Sequence, residues 1–328
     1  MTETLWFSAL AVLGGFVALI WGADRFVHGC AALARNLGVP TLVIGLTVVG
    51  FGTSAPEILV SIVSALNHTP QLAVGNAIGS NIANIALVLG ATAVILPLTV
   101  NSETLRREYP LMFIVMLGTL MLIMDNALDR VDGTLLLIGL ALILYGIISL
   151  GLRKQRLDPI EVEFAQEIPD TTTPLSILWI VVGLLILLAS SKSLVWGATN
   201  IASALGISDL VIGLTVVAIG TSLPELAASV MSAWKKEPDL AIGNIIGSNM
   251  FNLLAVLGLP ALIEPHALDD TVLSRDYPVM IGVSVALFIF AYGFRGPGRI
   301  NRLEGGLLLG VYALYMGIIY LDNVQQAA

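Results

Sequence analysis

Two glutamates stand in the middle of apolar sequence, each in the same setting: Glu57 closes Gly52-Thr-Ser-Ala-Pro-Glu57 and Glu225 closes Gly220-Thr-Ser-Leu-Pro-Glu225. A charged carboxylate at the centre of a membrane helix costs about 2.5–3.5 kcal/mol on insertion scales, so a pair of them needs a compensating partner. A second pair of stretches, GNAIGSNIAN (75–84) and GNIIGSNMFN (243–252), spaces Asn76, Ser80 and Asn84, and likewise Asn244, Ser248 and Asn252, four residues apart on one helical face. These donors suit a hard cation. Calcium takes about six to eight oxygen ligands. Glu57 and Glu225 offer four carboxylate oxygens, and the carbonyls of Thr53 and Thr221 with the amides of Asn84 and Asn252 bring the set to eight. Ser80 and Ser248 stand one turn before those amides and are candidate ligands too, with Asn76, Asn81, Asn244 and Asn249 in a lesser position. Neither stretch contains Cys or His, which weighs against zinc or copper.

The glutamates also admit a purely structural reading. Ser54-x-x-Glu57 and Ser222-x-x-Glu225 have the spelling of capping boxes, and a half-helix must start somehow. Capping does not account for the depth, because a glutamine would cap as well without a charge. An intramembrane hydrolase built on Ser54 or Ser222 needs a base in reach, and no His or Lys is duplicated with the serines. A channel with a two-glutamate filter calls for rings of acids about an oligomer axis.

The elements that carry these residues are membrane helices. The chain has 328 residues, 57% hydrophobic and 12% charged, against about 25% charged in a soluble domain. Its mean hydropathy is +0.92. Long unbroken apolar runs, rather than short alternating ones, indicate helices and not a barrel. A net charge of −8 without a basic patch argues against nucleic acid. The single cysteine, Cys30, reads as a buried apolar filler, and no cofactor is expected. The first fifteen residues lack a basic start and read as the first span rather than as a signal peptide.

Ten spans are expected, at 5–34, 40–66, 71–97, 108–125, 131–151, 174–204, 208–234, 239–263, 276–294 and 303–321. Loops after odd-numbered spans hold eleven Lys and Arg residues, and loops after even-numbered spans hold only Arg130 and Arg275. The positive-inside rule then puts both termini outside and the long loop 152–173 in the cytoplasm. Asp24 and Lys192 are charges inside spans; they either pair with each other or snorkel to an interface.

A shift of 168 residues lays one half of the chain on the other. Between 42–90 and 210–258, 29 of 49 positions are identical, and REYP at 107–110 falls on RDYP at 275–278. The expected units are therefore 1–151, the connector 152–173, and 174–328, each unit with five spans. An odd number of spans makes the repeat inverted, and such transporters bind substrate near the midplane, at the repeat interface. Spans two and seven centre near Thr53 and Thr221. Gly52, Pro56 and their counterparts should break both helices there, which is tolerated at that depth only along a cavity or ion path.

At these residues the chain resembles the cation/calcium exchanger superfamily, the sodium/calcium exchanger-like antiporters. The paired GTSxPE and GNxxGSNxxN motifs look like its two α-repeats, and the likeness covers almost the whole chain. It implies an all-α membrane protein of ten helices in two inverted-topology five-helix repeats. It implies exchange of calcium for sodium or another monovalent cation, potassium or protons being the alternatives. Spans two, three, seven and eight would build the site, and long tilted spans one and six would slide past it. By resemblance Glu57 and Glu225 are shared calcium and sodium ligands with the Thr53 and Thr221 carbonyls. Ser54, Ser80, Ser222 and Ser248 serve flanking sodium sites with the Gly50 and Ala218 carbonyls. The chain departs from the pattern in having Asn at both 84 and 252, where many members carry an aspartate on one side. The resemblance also suits a prokaryotic plasma membrane, the inner membrane in a Gram-negative cell, and a chain for which a monomer suffices.

Overall fold

The computed structural model describes residues 2–100, 102–154, 171–205, 220, 222–292 and 298–327. Those residues are almost entirely helical. Seven helices are long and apolar enough to cross a membrane: Leu5–Leu37, Pro70–Ile95, Arg130–Ser149, Thr173–Ala198, Pro238–Ile263, Val272–Ala291 and Arg302–Asp322. The bent pair Thr41–Thr53 and Ala55–Leu66 makes an eighth, and Glu108–Ile123 is a shorter apolar segment. The helix Leu223–Trp234 follows residues outside the described set. The chain is thus a helical, multi-pass membrane protein, with seven to eight spans by length and composition among the described residues. Two helices start earlier than their apolar runs, at Ser102 instead of 108 and at Val272 instead of 276, because a helix continues into polar sequence beyond the hydrocarbon.

Burial sorts the helices. In their most apolar windows, Pro70–Ile95 is 72% buried and Pro238–Ile263 is 89% buried, against 22% for Leu5–Leu37 and 17% for Arg130–Ser149. The two helices that carry the GNxxGSNxxN stretches therefore form the centre. The peripheral helices turn Trp6, Phe16, Ile138, Leu142 and Leu314 outward, as a lipid-facing surface requires.

The central packing is close because glycines face each other. A Cβ on Gly243 would stand 2.9 Å from Gly45 Cα, and one on Gly247 would stand 2.6 Å from Leu46 O. The first half-helix, 41–53, is thereby laid backbone to backbone on Pro238–Phe251, the small-residue contact that brings membrane helices together. The two longest helices, Thr2–Leu37 and Thr173–Ala204, form the most extensive pair. They run antiparallel, since a Cβ on Gly29 would meet Ser176 O and one on Gly197 would meet Ser8 O, each at 2.7 Å.

The repeat is reciprocated in contacts. Tyr277 Oη donates to Met116 O at 2.7 Å, and Tyr109 Oη donates to Ser284 O. Tyr109 and Tyr277 are repeat equivalents, and so are Met116 and Ser284, so REYP and RDYP supply the two ends of one cross-brace. Two short antiparallel ribbons tie loops together: β1 (Leu98–Val100) with β4 (Gly298–Ile300), and β2 (Ala127–Leu128) with β3 (His266–Ala267). The helices that follow β2 and β4 start with side-chain caps. Asp129 Oδ1 accepts from Val131 N at 2.7 Å, and Asn301 Oδ1 accepts from Leu303 N at 2.9 Å.

Candidate cation site

Pro56 lacks the N–H that a continuous helix would return to Gly52 O, and the chain bends by 43° between Thr41–Thr53 and Ala55–Leu66. The expected break is therefore present in the first repeat. In the second, Thr221 lies outside the described residues, as does Ala218, but Ser222 begins Leu223–Trp234 with Pro224 in its first turn, as Ser54 begins Ala55–Leu66. Glu57 and Glu225 fall in these first turns and are 2% and 1% exposed.

The capping-box expectation fails. Ser54 and Ser222 occupy the capping positions, yet neither side chain makes a cap hydrogen bond. Ser54 Oγ is buried with no hydrogen-bond partner among the described residues. The serine hydroxyls are thus not used up by the helix starts.

Each glutamate helix meets the opposite repeat. Ala55–Leu66 packs on the π-turn Asn252–Val256, and Leu223–Trp234 packs on the π-turn Asn84–Leu89. Asn84 and Asn252 open these turns. Such wide turns inside α-helices are frequent at functional sites. Asn84 and Asn252 are each 1% exposed, Ser248 is fully buried, and Ser80 is buried one turn before Asn84. Glu57 and Glu225 are thus both buried against a turn that an asparagine of the other repeat opens.

A frame of hydrogen bonds holds this interior in place. Asn76 Nδ2 donates to Glu57 O at 3.1 Å and to Ser61 Oγ at 3.2 Å. Its equivalent Asn244 Nδ2 donates to Glu225 O at 3.2 Å and to Ser229 Oγ at 2.9 Å. Asn244 Oδ1 accepts from Thr53 Oγ1 at 2.9 Å, which ties the first broken helix to the second repeat. Ser248 Oγ lies 3.3 Å from Thr53 Oγ1 and donates to Gly50 O at 3.4 Å. Asn84 Nδ2 donates to Asn249 Oδ1 at 3.1 Å. Asn76 and Asn244 are therefore braces of the glutamate backbone. Ser61 and Ser229 escaped the sequence reading; their signal was their identity in both halves, one turn after each glutamate.

Glu57, Glu225, Ser54 and Asn252 hold five buried oxygens that make no hydrogen bond among the described residues: Glu57 Oε2, Glu225 Oε1 and Oε2, Ser54 Oγ and Asn252 Oδ1. Buried polar groups are ordinarily hydrogen-bonded, so such a concentration is unusual. No cluster of three or more His, Cys, Asp or Glu is found among the described residues, and the oxygens here are two carboxylates with neutral hydroxyls and amides. That chemistry matches a hard cation. The remaining intramembrane charges lie elsewhere: Asp24 pairs with Lys235 at 2.7 Å rather than with Lys192, and Arg25 stacks on Trp21 and Trp179. Cys30 is buried, as expected of a filler.

Comparison with known proteins covers both halves of the chain. Residues 7–149 and 175–321 match the family described as sodium/calcium exchanger protein. CaxA of Alkalimonas amylolytica is 47% identical over 95% of this chain and 98% of its own. The inner membrane protein YrbG of Escherichia coli K12 is 42% identical over 95% of this chain and 96% of its own. The solved structure of a sodium/calcium exchanger from Methanococcus jannaschii superposes with a TM-score of 0.81 at 32% identity, over 95% of this chain and 98% of that one. With the family model spanning both halves, the chain belongs to the sodium/calcium exchanger family.

Proposed function

We propose that this chain exchanges calcium for sodium by alternating access around Glu57 and Glu225. The observation that carries the reading is the set of five partnerless buried oxygens, two carboxylates among them, held in a hydrogen-bonded frame contributed by both repeats. A bound cation supplies what those oxygens lack. Glu57 and Glu225 hold calcium with Asn84, Asn252 and the Thr53 and Thr221 carbonyls, and Ser54, Ser80, Ser222 and Ser248 line flanking sodium positions. Calcium and sodium compete for the same two carboxylates. An empty, doubly charged site opposes passage through an apolar barrier, and loading with either cargo removes that charge, which couples the two fluxes.

The proposed architecture is ten spans in two inverted units, 1–151 and 174–328, with both termini outside and 152–173 in the cytoplasm. The ribbons support this parity. β1 and β4 belong to loops that both follow odd-numbered spans, and β2 and β3 to loops that both follow even-numbered ones. Each pair thus falls on one side of the bilayer. A site formed within one chain needs no second copy, and the plasma membrane is the proposed location.

The test is calcium uptake into proteoliposomes driven in turn by outward sodium, potassium and proton gradients. Sodium-driven uptake is expected, and its loss in both Glu57→Gln and Glu225→Gln with the folded protein retained. Calcium-dependent exchange surviving in both variants would refute the assignment, and uptake with another gradient alone would replace sodium as the partner.

A further inference from the structure

Pro224 has no N–H to give, and in a continuous helix that hydrogen bond would go to Gly220 O. Ser191, on the long helix Thr173–Ala204, supplies the missing donor: its Oγ donates to Gly220 O at 2.7 Å. Ser191 is 6% exposed. A Cβ on Gly220 would collide with Val195, one turn beyond Ser191, so the long helix lies directly on the break. Serines inside membrane helices commonly bond their own preceding turn, and Ser190 and Ser176 do so, to Ile186 O and Thr172 O. Ser191 instead reaches across to another helix.

The two halves differ at this point. Gly52 matches Gly220, Pro56 matches Pro224 and Val27 matches Val195, but the residue opposite Ser191 in the repeat is Ala23. In the first half Gly52 O accepts a backbone N–H at the end of Gly50–Thr53, and Ala23 offers no hydroxyl to it. We propose that Ser191 is a positioning residue of the exchange cycle: its hydroxyl fastens the long helix to the broken helix of the second repeat in this state and releases when the two slide past each other. A bond made in one access state and lost in the other sets those states at different free energies. This rests on the alternating-access reading above.

The test compares Ser191→Ala and Ser191→Thr with the unaltered full-length chain, measuring the calcium KM from each face in right-side-out and inside-out vesicles. Losing one hydrogen bond of ordinary strength in only one state should change the ratio of the two KM values by roughly two- to tenfold. Ser191→Thr, which keeps the hydroxyl, should restore the ratio. A second readout needs no transport: the only cysteine, Cys30, is buried in Thr2–Leu37, the partner of the long helix. Its labelling by a membrane-permeant maleimide should rise by a similar roughly two- to tenfold factor in Ser191→Ala and return in Ser191→Thr. An unchanged ratio, or equal shifts on both faces, overturns the inference, as does unchanged Cys30 labelling. Absence of exchange in the unaltered chain counts against the antiport reading, and Cys30 labelling then still decides this one. Should Ser191→Ala fail to fold, Ser191→Cys, with similar volume and a weaker donor, should give a KM ratio between the two, and a wild-type ratio there would sink it.

Discussion

Adding one methyl group at Gly247 tests how the two halves are held together. A Cβ there would stand 2.6 Å from Leu46 O, 2.9 Å from Leu46 Cα and 3.0 Å from Leu46 C. Every one of these is backbone, so no rotamer change relieves the contact. Ordinary van der Waals contact for a Cβ begins at 3.4 Å, and the half-helix 41–53 must retreat by roughly 0.8 Å. Overpacking of this kind costs about 1–3 kcal/mol. The same displacement stretches the Thr53–Asn244 bond from 2.9 Å towards the limit of hydrogen bonding, which removes about 0.5–1.5 kcal/mol more. Gly247→Ala should therefore lower stability by about 1.5–4.5 kcal/mol, the sum of those two terms, and weaken calcium uptake because Thr53 shifts. The control is Gly139→Ala, whose Cβ would sit at an ordinary 3.6 Å from Leu254 Cδ2. The assay is thermal unfolding of the purified protein in detergent beside calcium uptake in vesicles. If Gly247→Ala matches Gly139→Ala in both, the backbone contact does not set the geometry of the frame and the reasoning fails.

Two further outcomes follow from the frame and its edges. Tyr109→Phe and Tyr277→Phe each remove one half of a reciprocal brace and should each lower stability by about 0.5–1.5 kcal/mol in thermal unfolding; a loss confined to one of them would contradict the symmetry of the brace. Glu237, in the loop before Pro238, is pushed from an ordinary 4.5 up to about 7 by burial and then by the charge of Asp239. A carboxylate raised in the folded state favours folding while protonated, so its contribution is full below pH 4.5 and is lost as pH rises to about 7. Glu237→Gln should match the unaltered chain in thermal unfolding at pH 4.5 and exceed it at pH 8. Equal melting curves at both pH values would refute the burial of that charge.

The legible part of the site was the part written twice in polar letters. Glu57 and Glu225 declared themselves by depth, and the four-residue spacing of Asn76, Ser80 and Asn84 fixed a shared face before any coordinates. The bend at Pro56 followed from a missing N–H. What sequence left open was the direction of each hydrogen bond. Asn76 and Asn84 occupy the same face, yet Asn76 braces Glu57 O while Asn84 opens a π-turn. A π-turn needs only one residue more than an α-turn, and no residue type marks it. Ser54-x-x-Glu57 spelled a cap that the side chains do not make, because a capping pattern specifies reach and not orientation. REYP and RDYP were visible as a match, but their reciprocal carbonyl partners lie in helical sequence with no motif. The ribbons were missed because three residues in a loop carry too little pattern to read as a strand.

The duplication also limits what the site itself can decide. Thr53, Ser54, Glu57, Ser80 and Asn84 all have identical counterparts, and under the proposed inverted arrangement a cation approaching from either face meets the same donors in mirrored order. Identical donors in mirrored order give no intrinsic preference for one face. Any preference then resides in positions where the halves differ and which also touch the moving contact. Most differences between 42–90 and 210–258, such as Ile58 against Leu226 or Val74 against Ile242, exchange one apolar side chain for another and change no hydrogen bond. Ala23 against Ser191 is of another kind, because it adds a donor to a carbonyl at the break itself. Duplication can build a symmetric site, and under the proposal above the unmatched Ser191 hydroxyl makes its two open states unequal.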